Sequence, residues 1–203
     1  MLTQQLFEGQ LVRFAPPDAD RDAEVVSKWS HDVEYLRLLD VDVARPLSPF
    51  QVKKQYEEWE KDAEKQHNQF SFAVRLREGD RLIGFVRLYR IEWTHGTGTL
   101  QIGIGDRNDR GLGYGTEVLR MVLRYAFDEL NLYRLAVSIT AYNTGAIRFL
   151  ERAGFVEEVR RRQAVQRDGQ RWDVVMLGLL REEWPAVSND QSTMINREAR
   201  LEG

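Results

Sequence analysis

Gly103-Ile104-Gly105-Asp106-Arg107-Asn108-Asp109-Arg110-Gly111-Leu112-Gly113-Tyr114-Gly115-Thr116 is the stretch on which the reading of this chain turns. Before it, Thr99–Ile104 has the pattern of a strand. After it, Val118, Leu119, Val122, Leu123, Ala126, Phe127 and Leu130 recur at the i, i+3, i+4, i+7 spacing of a half-buried helix. Glycines between them let the backbone turn sharply and approach a ligand closely. The first N–H groups of the following helix have no internal partner and carry the positive end of its dipole. Such a junction is an anion site suited to a pyrophosphate, and Arg110 adds charge to it.

Two familiar nucleotide loops do not fit. A P-loop ends in Gly-Lys-Ser/Thr, which is missing here. The dinucleotide fingerprint spaces its glycines G-x-G-x-x-G, whereas Gly111, Gly113 and Gly115 are spaced G-x-G-x-G. That fingerprint also opens a parallel βαβ unit with an acid at the end of the next strand, and no acid ends Arg134–Thr140.

Upstream the period is two. Phe70, Phe72, Val74 and Leu76 alternate with polar residues, Glu78-Gly79-Asp80 reads as a hairpin turn, and Leu82 to Trp93 is a long apolar and aromatic run. His95 to Gly98 turns the chain into Thr99–Ile104. Connections this short make the three strands antiparallel. Earlier still, Leu11–Phe14 reads as a strand closed by Pro16-Pro17. Ala23–Trp29 reads as a helix with Asp18, Asp20 and Asp22 about its start, and His31–Leu39 as a short helix. Ser48-Pro49 opens a helix to about Glu64. Downstream come a strand at Arg134–Thr140, a helix at Thr144–Ala153 stopped by Gly154, and a strand at Phe155–Val165. A turn at Arg167-Asp168-Gly169 leads to a last strand at Trp172–Leu180.

Composition narrows the function. The chain has 203 residues, 42% hydrophobic and 30% charged, enough to bury a core. A net charge of -3 argues against a bulk polyanion partner, so no nucleic acid is expected. The absence of cysteine removes disulfides, thiolate zinc sites and any acyl group resting on a Cys. His31, His67 and His95 are too scattered for a metal site, and no metal is expected. The N-terminus lacks a basic region followed by an apolar run, and no stretch reaches the roughly 18–20 apolar residues of a spanning helix. The expectation is a soluble cytoplasmic protein without a membrane partner. Of the 29 basic residues 24 are arginine, which reads either as codon bias or as a need for phosphate-matching forks.

Arg110-Gly111-Leu112-Gly113-Tyr114-Gly115 resembles the Arg/Gln-x-x-Gly-x-Gly/Ala motif of the GNAT superfamily of N-acetyltransferases. Asn143-Thr144-Gly145-Ala146-Ile147 through Gly154-Phe155 is similar to the second block of that superfamily. Phe127 to Leu135 resembles the branch containing ribosomal-protein-alanine and spermidine N-acetyltransferases. The resemblance runs from about Leu11 to Pro185. It implies an α/β (α+β) fold with a mixed, mostly antiparallel twisted sheet of about seven strands flanked by helices. The domain is expected over residues 1–187, followed by a polar tail over 188–203.

The resemblance further implies acetyl-CoA as cosubstrate, with its pyrophosphate on Arg110, Gly111, Leu112, Gly113, Tyr114, Gly115 and Thr116. The pantetheine arm would pair with Ile102, Gly103 and Ile104. Asn143 corresponds to a residue that contacts the cofactor arm, and it also reads as a helix cap. Two usual proton handlers of the family are replaced: Gln101 stands where a Glu is common, and Leu150 where a Tyr is common. A free ammonium with a pKa near ~10 is no nucleophile. Another group is therefore expected to serve, with Glu92 or His95 first and His31, Tyr89 and Tyr142 as further candidates. Proximity and a backbone oxyanion contact add to this. The acceptor pocket is expected from the first helices, with Glu34, Tyr35, Asp40, Asp42 and Tyr89 lining it. The expected reaction moves an acetyl group to a primary amine by direct transfer in a ternary complex. The alternatives are a non-catalytic acyl-CoA-binding module and transfer of a longer acyl group. A homodimer is the family-level expectation.

Overall fold

The structure, a computed structural model, describes residues 5–184. Those residues group into two compact units that divide between Leu132 and Tyr133. The expected domain end at residue 187 and the expected tail lie outside the described residues.

In the first unit, β1 (Val12–Ala15) is followed by three helices: α1 (Ala19–Ser30), α2 (Val33–Leu39) and α3 (Pro49–Gln66). Their starts are set by side chains. Asp18 accepts the N–H groups of Asp20 and Arg21, Asp32 accepts those of Glu34 and Tyr35, and Ser48 with Gln51 forms a reciprocal capping box ahead of Pro49. Helix α1 begins four residues earlier than its apolar periodicity indicates, because Asp18 caps it. Then β2 (Phe70–Leu76), β3 (Leu82–Glu92) and β4 (Thr97–Ile104) run in sequence. The strands pair β1-β2-β3-β4, each antiparallel to the next, as the short turns require.

The two faces of these strands differ. On one, Trp29, Tyr35, Ala73 and Leu82 form a buried cluster with Val25, Val26, Leu36 and Leu39 packed against it. On the other, Phe14 stacks on Phe72 with ring centroids 5.3 Å apart, and the Tyr125 ring meets Phe72 edge-on, also at 5.3 Å. Tyr125 follows α4 (Tyr114–Arg124), which buries Val118, Leu119, Val122 and Leu123. The helical pattern read as far as Leu130 is broken at residues 125–129. There the Leu130 N–H reaches back five residues to the Tyr125 carbonyl, a π turn.

The second unit comprises β5 (Arg134–Thr140), α5 (Thr144–Arg152), β6 (Val156–Arg167) and β7 (Gln170–Leu180). Strand β7 pairs antiparallel with both β5 and β6. Gly154 follows α5 at φ +92° and Asp168-Gly169 turns β6 into β7 at φ +50° and +74°, matching the stop and the turn read from the sequence. The fold class is the expected one: α/β, with seven strands among flanking helices.

Candidate functional site

Strand β4 delivers the chain to the glycine loop, and the loop is held from both sides. Asp106 accepts the Asn108 N–H at 2.8 Å and opens a single 3-10 turn over Arg107–Asp109. The buried Asp109 carboxylate takes both terminal nitrogens of Arg81, at 2.7 and 2.8 Å. Arg107 pairs with Glu34 of α2. Arg110 donates to the Gly105 carbonyl at 3.3 Å and lies over the Tyr35 ring, 6.0 Å from its centroid. Behind the loop, a cavity of about 390 Å³ opens between Lys28 and Trp29 of α1 and Gly105–Arg107.

Gly111 and Gly113 sit at φ +77° and +86°, the left-handed region that glycine enters without strain. Gly113 is the N-cap of α4 and offers no side-chain cap. Its carbonyl accepts the N–H groups of Thr116 and Glu117 at 3.1 and 3.2 Å. The N–H groups of Gly111, Leu112, Gly113, Tyr114 and Gly115 have no acceptor among the described residues. Five consecutive free donors at a helix start, bracketed by left-handed glycines, make a concave nest for an anion. A diphosphate fits this donor set, and Arg110 stands next to it.

The strand residues expected to take the pantetheine arm lie just before the loop, with Ile102, Gly103 and Ile104 paired to Val86, Phe85 and Gly84. Gly103 is small because a Cβ there would press on the Phe85 ring at 2.6 Å and on Leu39 at 3.1 Å. That space lets the end of α2 close onto β4.

Gln101 is the residue of β4 around which the expected acceptor groups gather. Its Nε2 donates to Asp40 Oδ2 at 3.4 Å and to the Leu39 carbonyl at 3.5 Å. Asp40 also accepts the Val41 N–H at 2.6 Å. Across the strand pair, Gln101 faces Arg87, and Thr99 faces Tyr89. Burial raises the Tyr89 phenol above its ordinary range and Asp40 adds to this, while Arg90 and Arg87 work against it. Tyr35 is buried, and burial pushes its phenol well above the ordinary range. Asp42 is exposed in the non-helical segment after α2.

Two expected residues of the first unit, Glu92 and His95, are not brought to this cluster. Glu92 and His95 are exposed on the β3–β4 hairpin, where the Thr97 hydroxyl donates to Glu92 Oε2 at 3.4 Å and the His95 N–H bonds the Glu92 carbonyl at 3.0 Å. The eight residues of β4 separate that hairpin from the glycine loop by about 25 Å. His31 caps the C-terminus of α1. In the second unit, Tyr142 packs edge-on against Trp172 at 5.5 Å. Asn143 caps α5 by accepting the Ala146 N–H at 3.1 Å, and Leu150 is buried. Among the described residues no group of three or more His, Asp or Glu side chains is arranged to hold a metal.

Arg87 is the prominent polar side chain at this cluster that no motif indicates. Its guanidinium carbon lies 4.2 Å above the Trp59 ring centroid and 5.4 Å from that of Tyr89. The signal for it is a cation inside the apolar run Leu82–Ile91, flanked by buried Val86 and Leu88, whereas Arg90, the other cation of that run, is exposed.

Comparison with known proteins gives a consistent answer. Residues 12–156 match the family described as acetyltransferase (GNAT) domain. The probable N-acetyltransferase YjcK of Bacillus subtilis is 36% identical over 132 residues, which cover 63% of this chain and 70% of that protein. The spermidine N(1)-acetyltransferase of Vibrio cholerae is 34% identical over 77 residues, 38% of this chain and 44% of its own length. In fold, a crystal structure of spermidine N-acetyltransferase from Vibrio cholerae in complex with CoA and spermine superposes with a TM-score of 0.74. It is 20% identical, covering 87% of this chain and 99% of that one. No helix among the described residues is long and apolar enough to cross a membrane. The loop that decides the sequence reading, the strand before it and the helix after it thus all fall inside the matched span, and the chain belongs to the GNAT family of acetyltransferases.

Proposed function

We propose that the protein transfers the acetyl group of acetyl-CoA directly to a primary amine held in the same complex. The observation that supports this reading is the row of five N–H donors at Gly111–Gly115 that have no acceptor among the described residues. In this reading, those donors and Arg110 hold the diphosphate, and Ile102–Ile104 guide the pantetheine arm toward Gln101. Acetyl-CoA supplies a thioester whose carbonyl carbon accepts the amine as the C–S bond breaks. The amine arrives as an ammonium and must lose a proton first. Gln101 is an amide and cannot take it. Asp40, in contact with Gln101, is an anion at that strand position and draws the cation in. That proton goes, in this reading, through intervening water to Glu92 or His95 on the exposed hairpin at the other end of β4. Glu34, Tyr35, Asp42 and Tyr89 complete the acceptor side.

The test is CoA release, read by thiol colour, across a panel of amines. Release with at least one amine is expected. Tight acetyl-CoA binding with no release from any acceptor would instead favour a non-catalytic acyl-CoA-binding module. Gly113→Glu examines the loop directly. It places a carboxylate where the anion should sit and forces φ +86° on a residue that resists it. Acetyl-CoA binding by calorimetry should fall at least about 100-fold, a loss of roughly 2.7 kcal/mol, with the far-UV circular dichroism unchanged. Retained binding would refute the loop assignment.

A further inference from the structure

Among the described residues the guanidinium of Arg87 has no anion bonded to it. Other arginines of the chain meet carboxylates: Arg75 meets Asp22 with both side chains buried, Arg81 meets Asp109, Arg13 meets Asp80 and Arg134 meets Glu158. Arg87 is half-buried, and its side chain makes neither an ion pair nor a hydrogen bond with any described residue. Its Nε is sealed from solvent with no acceptor, while its terminal nitrogens are not sealed. The rings of Trp59 and Tyr89 lie against the cation, and stacking on an aromatic face satisfies none of its N–H groups. Withdrawing a cation from water without a partner is costly. Burial lowers the guanidinium's pKa from its ordinary value, and this is the largest influence on it; Tyr89 and Asp40 act in the opposite direction. A charge left in this state in the wall of a substrate face is arranged for a ligand.

Its position says which ligand. Arg87 is directly opposite Gln101 in the β3–β4 pair, so the two Cβ atoms are about 5 Å apart on one face of the strands. Gln101 in turn holds Asp40. A cation and an anion are thus set side by side along β4, one at the Arg87 fork and one at Asp40. A polyamine has only positive charge to offer and would meet the Arg87 guanidinium as a like charge. An acceptor with an amine and a carboxylate a few bonds apart satisfies both, the carboxylate on the terminal nitrogens of Arg87 in the two-bond geometry an arginine fork favours.

We propose that Arg87 is the specificity-determining residue of the acceptor site, and that it selects an amine acceptor carrying a carboxylate, as a free amino acid or an acidic peptide does. This rests on the acetyltransferase reading above. Chemically nothing is added to the transfer; Arg87 chooses which amine is presented to it.

The experiment compares acceptors in matched pairs: free amino acids with their carboxamides, peptides with acidic and with amidated residues near the N-terminus, and spermidine. The variants are Arg87→Gln and Arg87→Lys. In the wild type, masking the carboxylate should lower kcat/KM at least about 30-fold, as loss of a partner to a buried polar group does. Arg87→Gln should bring the ratio of acid to amide close to one, mainly through KM, and Arg87→Lys should restore part of it. A purely structural role would lower all acceptors together and leave the ratio intact. The free-acid and peptide arms separate the two sources of the carboxylate. Spermidine or an amide used as well as the acid by the wild type would overturn the proposal. If no acceptor releases CoA, the acetyltransferase reading fails separately, and thermal shift decides the Arg87 assignment. Free acids, but not their amides, should raise Tm in the wild type and not in Arg87→Gln. Equal shifts, or none, would overturn it.

Discussion

A single Cβ is enough to separate the reasons for the glycines in this loop. At Gly111 an added Cβ meets nothing within 4 Å, and at Gly113 it meets only Leu11 at 3.8 Å, so both are glycine for their positive φ. At Gly105 an added Cβ would enter the indole ring of Trp29, so Gly105 is glycine for packing against α1. The motif is legible in the sequence, but this division is not. Spacing reports that glycines are present, whereas the collision depends on a helix some 75 residues earlier in the chain. Gly105→Ala should therefore cost about 1–3 kcal/mol in a denaturant titration, the usual penalty for overpacking. Trp29→Leu should cost stability by itself but remove most of the added penalty in the double variant. An additive pair would show that Trp29 is not the obstacle. Gln101 teaches the same lesson. Its identity announces a departure from the family pattern, but only the fold shows that its amide is occupied by Asp40 and Leu39.

The elements read from the sequence agree with the structure wherever local signals decide them, and depart where distant contacts do. Strand β5 is found at the bounds its apolar pattern indicates, and α3 starts at Ser48-Pro49. The π turn after α4 has no local signal. It coincides with Tyr125, whose ring must reach Phe7, Phe70 and Phe72, three partners more than 50 residues away. Another long-range device orients α4 itself. The Glu117 carboxylate accepts the N–H groups of Gln10, Leu11 and Val12 at 2.5, 2.8 and 2.8 Å, tying the first turn of the helix to the start of β1. Glu117→Ala leaves three donors unpaired and should destabilise by about 2–4 kcal/mol, with Glu117→Gln intermediate. Because the same turn carries the anion nest, acetyl-CoA affinity should weaken in parallel; unchanged affinity would mean that the nest is independent of this tie. The β2–β3 turn offers a pH test. Hydrogen bonds from Arg13 and then Arg21 hold the Asp80 carboxyl below the usual carboxylate range. A carboxylate with a depressed folded pKa stabilises above the unfolded value, near ~4, and that contribution disappears as pH falls through the folded value. The Tm difference between wild type and Asp80→Asn should hold steady from pH 8 to 5 and shrink toward zero by pH 2. A difference as large at pH 2 as at pH 7 would contradict it.

Over the whole chain, composition turns out to say more about chemistry than about partners. The arginine excess has no explanation in any motif beyond Arg110. In the folded chain, arginine forks bridge distant segments: Arg13 and Arg21 converge on Asp80, Arg75 reaches Asp22, Arg81 reaches Asp109, and Arg134 reaches Glu158. Partner choice of this kind is invisible in a linear reading, because each pair forms only after its elements are placed. The missing cysteine, by contrast, constrains the mechanism directly. With no thiol in any of the 203 residues, an acetyl group cannot pause on a Cys, which suits the proposed direct transfer with both substrates bound. Double-reciprocal plots against acetyl-CoA at several fixed acceptor concentrations should then intersect. N-ethylmaleimide in large excess, quenched before assay, should leave kcat unchanged, and released CoA should be the sole thiol that colours the reaction. Parallel lines, together with an acetyl adduct on the protein in intact mass after mixing with acetyl-CoA alone, would place the group on another side chain and refute direct transfer.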